Sequence, residues 1–95
     1  METNKQAQLA FEQAIKDKKD FSIELLNGVF RDCKVRVNFD FQENRYIVQQ
    51  DFFDTLHLFR YIRLGHVYLE SYMAGNKMKG SFPIADIVGF KLESK

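Results

Sequence analysis

Ninety-five residues, 45% of them apolar and 15% aromatic, make one domain, 1–95, able to bury a core without metals or disulfides and too apolar to stay disordered. Fourteen Lys and Arg against thirteen Asp and Glu leave a net charge of +1, which excludes a global pull toward nucleic acid or anionic lipid and confines any such binding to a local patch. The single Cys33 excludes an intrachain disulfide and fits a reducing compartment, and no apolar run reaches the ~18 residues of a membrane span or forms a leader at the amino terminus, so the expectation is a cytoplasmic protein with no membrane partner.

Thr3 followed by Gln6 has the spacing of a capping box, in which hydroxyl and amide satisfy free backbone N–H groups reciprocally. Ala7, Ala10, Phe11, Ala14 and Ile15 then recur at three- and four-residue spacing, which predicts a helix over about 4–18 with a narrow apolar stripe. Lys16 to Asp20 is a charged exit, read as a solvated turn. From Phe21 the period changes to two. Phe21, Ile23 and Leu25 share one strand face, and Asn27-Gly28 is a strong hairpin signal because both residues tolerate positive φ. In the next strand Cys33, Val35, Val37 and Phe39 point one way, while Lys34, Arg36 and Asn38 point the other, giving a core face and a wet basic face.

Gln42 to Arg45 predicts a turn before the strand Tyr46–Gln50, and Asp51 to Thr55 breaks the alternation. Leu56 to Tyr72 reads as one long β-rich stretch with a bulge or sharp bend at Gly65, and Ala74 to Lys77 as a turn. Pro83, the only proline, belongs at a turn or a sheet edge before a closing strand. The predicted architecture is mostly β with an N-terminal helix: five or six antiparallel strands over about 20–93, bent strongly enough to close a small barrel. The alternative is an open α+β sheet with the helix packed across it. Either buries Ile23, Leu25, Val35, Val37, Ile47, Ile62, Val67, Leu69, Ile87 and Phe90.

A capped helix and a charged turn, then Phe21-Ser22-Ile23-Glu24-Leu25-Leu26-Asn27-Gly28, then Phe39-Asp40-Phe41, resemble the start of Hfq-type Sm-like proteins. In that family a helix precedes a strand with an S-I-x-L-x-N-G pattern, and the second strand ends in F-D and a further aromatic. Pro83 to Val88 is similar to the turn and last strand that end Sm-like and SH3-like barrels. The resemblance implies an RNA-binding, ring-forming small barrel, with Phe41 stacking on a base and Gln6 or Gln8 making polar contacts from the helix. Two departures stand beside it. The family's Lys-His pair at the uridine-binding pore has no counterpart beside Ile84 and Ala85, and the span from Asp40 to Ala85 is far longer than the family's.

No chemistry-bearing motif is present: no G-x-S-x-G, P-loop or G-x-G-x-x-G occurs. His57 and His66 lie nine positions apart in a strand region, away from metal-ligand spacing, and are read as surface or rim residues, so neither metal nor cofactor is expected. Asp51 and Asp54 flank Phe52-Phe53 and are read as solubilising an aromatic loop tip, so no catalytic residue is assigned. Lys34, Arg36, Arg45, Arg60, Arg63, Lys77 and Lys79 interleave with Tyr46, Tyr61 and Tyr68. Single-stranded nucleic acid is bound in this way, bases stacking on rings while cations track phosphates. The expected function is therefore a non-catalytic module for RNA or single-stranded nucleic acid, with Lys34, Arg36, Phe41, Arg45, Arg60 and Arg63 as its contacts. The alternative is a protein-interaction or homo-oligomerisation module using an exposed strand edge and Phe52-Phe53.

Overall fold

A computed structural model describes residues 2–26, 34–49 and 55–93. The helix α1 (Glu2–Asp17) begins one residue ahead of Thr3, so Thr3 and Gln6 both lie within it and the predicted capping box does not form its entrance. The helix buries Ala7, Phe11 and Ala14 along the predicted stripe, with Ile15 partly covered. Its end is a Schellman motif: Lys18 takes a left-handed conformation (φ 55°), its N–H reaches the Ile15 carbonyl, and the Lys19 N–H donates to the Ala14 carbonyl at 3.1 Å.

Seven strands follow: β1 (Phe21–Leu25), β2 (Lys34–Asp40), β3 (Arg45–Gln49), β4 (Thr55–Arg63), β5 (His66–Met73), β6 (Asn76–Pro83) and, after a 3-10 turn at Ile84–Asp86, β7 (Ile87–Leu92). All neighbours pair antiparallel in the order β6-β5-β4-β3-β2-β1-β7. Chain order is thus a meander, except that β7 returns to the far side of β1. This connection forces curvature. Laid flat, seven strands would hold the two edges nearly 30 Å apart at about 4.8 Å per strand, whereas a three-residue 3-10 turn rises only about 6 Å. The sheet therefore curls until the end of β6 lies beside the start of β7. Two backbone bonds pin that corner, Leu26 N–H to the Asp86 carbonyl and Ile84 N–H to the Gly65 carbonyl, both 2.8 Å. The result is a half-barrel, strongly bent as predicted but with one strand more than the upper count.

The extra strand comes from the stretch read as continuous. Leu64-Gly65 is a two-residue hairpin turn with both residues at positive φ (51° and 75°), and Ala74-Gly75 repeats it (51° and 82°). Positive φ at both central positions suits the right-handed twist of the flanking strands, so each pair reverses the chain outright. Gly65 accordingly marks a hairpin; the bulge lies five residues earlier, where β4 slips between Phe59 and Tyr61 against β5. The Asn27-Gly28 turn, Cys33 and the Asp51 to Asp54 segment with Phe52 and Phe53 fall outside the described residues.

The core lies between α1 and the concave face. Phe11 meets Phe21 edge-on at 5.5 Å, and Phe21 stacks against Phe90 at 5.4 Å. Ile23, Leu25, Val35, Val37, Val67, Leu69 and Ile87 are buried as expected, and Phe90 is partly so. Two expectations need correction. Register places Tyr46 and Val48 opposite the inward Phe39 and Val37, which turns Ile47 to the convex face opposite Leu58. Ile62 is 41% exposed, because beyond the bulge β4 has swung past the end of its pairing with β3.

Candidate nucleic-acid interface

The convex face of β4, β5 and β6 gathers the aromatic and cationic side chains. Without an extra residue Tyr61 would share the inward face of Phe59, since side chains alternate. The bulge sets Phe59 against Leu69 and Tyr61 against Tyr68, leaving Arg60 between them without a register partner. Arg60 and Tyr61 thereby turn outward together. Tyr61 stacks on Tyr68 with centroids 4.7 Å apart and planes 18° from parallel, yet remains 57% exposed. His66 follows Tyr68 along the same face at 6.5 Å, opposite Arg63 at the hairpin tip. From β6, Lys79 stands opposite Glu70 and Lys77 opposite Tyr72. A shallow depression of about 340 Å³ lies among Arg60, Tyr61, Tyr68, Glu70 and Lys79.

Glu70 organises this face. Tyr72 donates its hydroxyl to Glu70 Oε2 at 2.7 Å, Lys77 Nζ lies 3.5 Å from the same oxygen, and Arg60 Nε lies 3.3 Å from Oε1. The Tyr72 hydrogen bond, followed by Arg60 and Lys77, holds the Glu70 carboxyl below its ordinary value, and the same bond pushes the Tyr72 phenol up. Arg60 and Lys77 are thus partly neutralised, whereas Arg63 and Lys79 have no ion pair among the described residues. The signal for this network was present in sequence as Glu70-x-Tyr72 on one strand face, but its cations come from β4 and β6, which only the register supplies.

The remaining predicted contacts are dispersed. Lys34 and Arg36 sit on the convex face of β2, at the end opposite Asp40 and Arg45; four residue pairs at about 3.4 Å put roughly 14 Å between Arg36 and Arg45. Arg36 lies 3.6 Å from Glu93, which also accepts from the Ser22 hydroxyl; that bond, then Arg36 and Lys91, depresses the Glu93 carboxyl. Arg45 and Arg60 share one end of the sheet. Phe41 stands in the β2–β3 loop, 63% exposed and edge-on to Phe39 at 4.8 Å. Asp40 shapes that loop by accepting from the Gln42 N–H at 3.0 Å. On the helix Gln6 is exposed, and Gln8 donates to the Ala85 carbonyl at 3.3 Å.

Tyr46 is removed from the predicted binding set. It is buried under the helix end, where its hydroxyl donates to the carbonyls of Ala14 (3.0 Å) and Ile15 (3.2 Å). Burial, with Asp20 and Asp17 nearby, pushes its phenol up to about 12. His57 is likewise not a surface residue: it is buried, its Nδ1 shares a 2.6 Å hydrogen bond with Ser71 Oγ, and burial lowers its pKa. His66 is exposed as expected. Among the described residues no cluster of His, Cys, Asp or Glu could hold a metal ion, and no helix is long and apolar enough to cross a membrane.

A scan of the chain against protein-family models finds no match, and searches of curated proteins and of solved structures find none either.

Proposed function

We propose that the protein is a non-catalytic module that binds single-stranded RNA on the convex face of β4–β6. The observation that carries this reading is the exposed Tyr61–Tyr68 stack with Arg63 and Lys79 beside it, both free of ion pairs among the described residues. Aromatic platforms accept any base, and each stacked base contributes about 1–3 kcal/mol, while unpaired cations beside the rings track phosphates. The resemblance to Sm-like proteins favours RNA as the nucleic acid. Of the residues expected to make contact, Arg60 and Arg63 belong to this face, Arg45 stands at its border, and Lys34, Arg36 and Phe41 occupy other parts of the surface.

Fluorescence anisotropy with a labelled single-stranded RNA pool, at low and physiological salt, tests the proposal. Reversing charge at Arg63 and Lys79 removes two phosphate contacts and should lower the logarithmic salt slope by about 1.4. Tyr61→Leu with Tyr68→Leu should weaken binding at every salt concentration and leave the slope unchanged. Reversing Lys34 and Arg36 should have the smaller effect. Binding that ignores the β4–β6 substitutions refutes the assignment.

A second reading, self-association through strand edges, is favoured by the two open edges of the half-barrel. Among the described residues neither β6 nor β7 has a partner on its outer side. Exposed edges offer unpaired backbone groups to another chain, although Lys77, Lys79 and Pro83 on β6 are the residue types that discourage such pairing. Sedimentation velocity across a hundredfold concentration range distinguishes a monomer from an edge-paired assembly.

A further inference from the structure

Among the described residues, pairing between β3 and β4 covers Ile47 with Leu58 and Val48 with His57. Arg45 and Tyr46 on one side, and Phe59 to Arg63 on the other, continue past that point without joining, so the sheet splits at this end. The bulge in β4 widens the split by twisting the strand away. A cleft of about 590 Å³ opens there, within the range of small-molecule sites. Phe39, Tyr46 and Phe59 contribute to its lining and pack on one another, Phe39 to Tyr46 at 4.8 Å and Tyr46 to Phe59 at 6.0 Å, with Phe59 the least buried of the three and Lys18 Nζ over the Phe39 ring.

Polar groups are placed unevenly in this cleft. The Tyr46 hydroxyl already donates to the helix carbonyls, and the other polar side chains of the lining are those of Glu43, Asn44, Arg45, Arg60 and Tyr61. The rim carries Arg45 and Arg60. Arg60 Nε is held by Glu70; the Arg45 side chain is 36% exposed and ion-paired to Asp40 at 3.9 Å, while its Nε is shielded from water and makes no hydrogen bond among the described residues. An N–H shielded from water without an acceptor is unfavourable, and a ligand oxygen placed beside Arg45 would satisfy it. Glu43 in the lining and Asp40 beside Arg45 set opposing charges, which disfavour a multiply charged anion.

We propose that the cleft between β3 and the outer half of β4 binds a small aromatic carboxylate, its flat ring system lying against Phe39, Tyr46 and Phe59 and its carboxylate accepting from Arg45. The cleft borders the proposed RNA face, with which it shares Arg60 and Tyr61, and differs from it in the aromatic side chains of Phe39, Tyr46 and Phe59 that line the rest of it.

Titration of the full chain with 2-naphthoate, followed by amide NMR shifts, is the test. Saturable shifts at Asn44 to Tyr46 and at Phe59 to Ile62 are expected, with neutral 2-naphthamide binding at least about tenfold more weakly, since a hydrogen bond to a charged group is lost. Arg45→Gln should erase the preference for the carboxylate, with an unchanged thermal melt confirming the fold. Equal affinity for acid and amide in the unaltered protein, non-saturating shifts, or shifts located elsewhere overturn the proposal. The first comparison needs no variant. RNA added to the naphthoate-saturated protein reads the convex face at residues that do not line the cleft: shifts at Tyr68, Glu70 and Lys79 in that sample report the RNA site whether or not the cleft is filled.

Discussion

Removal of one buried oxygen, in Tyr46→Phe, tests how the helix is fastened to the sheet. The ring stays in place among Phe21, Phe39 and Phe59 at 5.9, 4.8 and 6.0 Å, so packing is conserved and only the hydroxyl is lost. That hydroxyl donates to the Ala14 and Ile15 carbonyls, and both also accept backbone N–H groups from the Schellman turn. Neither carbonyl is therefore orphaned by the substitution. The cost should be that of a hydrogen bond with its acceptors still partly satisfied, about 1 kcal/mol, rather than the ~3 kcal/mol of a stranded buried group. For a domain of this size about 1 kcal/mol corresponds to a fall in Tm of roughly 4–8 °C. Urea unfolding monitored by circular dichroism should show a lower midpoint and an unchanged slope. Tyr46→Ala, which also deletes the ring, should cost about 3–5 kcal/mol. An unchanged midpoint in Tyr46→Phe would show that the hydroxyl does not fasten the helix end. Alkaline titration provides a second check. A phenol raised from 10 to about 12 in the folded state contributes stability that is intact below pH 10 and lost as pH rises through 12, and the corresponding late step at 295 nm should vanish in the variant.

Two further outcomes follow from local conformation and burial. Leu64 is 86% exposed and left-handed (φ 51°) at the first position of its hairpin turn, where Asn is preferred; Leu64→Asn should raise stability by about 0.5–1 kcal/mol with no packing lost, and a lower Tm would contradict the turn assignment. His57 is lowered by burial, so its contribution is complete above the unfolded value near 6.5 and is lost as pH falls below it toward the folded value, because the unfolded chain takes up the proton first. Denaturant midpoints should therefore fall between pH 7.5 and 5.5, and His57→Asn should flatten that dependence; an equally steep profile in the variant would assign it to other groups.

Local patterns carried most of the secondary structure. The three- and four-residue recurrence from Ala7 to Ile15 identified the helix and its buried stripe, and alternation at Phe21-Ile23-Leu25 and Val35-Val37-Phe39 identified the inward faces, because both periods are geometric consequences of the backbone. Gly75 marks its turn in the sequence, whereas Gly65 reads there as a bulge or sharp bend because Leu64 is an unusual residue for a left-handed position. The charged residues of the site were individually visible, but their grouping was not. Whether Tyr61 faces inward or outward depends on one extra residue in β4, and a single slip moves every later side chain to the other face.

The sequence by itself determined the order of elements, the change from helical to alternating period, and which strand faces are apolar. Only the tertiary structure decided that the sheet curls into a half-barrel, because a three-residue turn must join its two edges. Tertiary structure likewise withdrew Tyr46 into the core, distributed the cations between a convex face and a cleft rim, and parted β3 from β4. Those outcomes depend on register and closure between segments far apart in the chain, which no local period encodes.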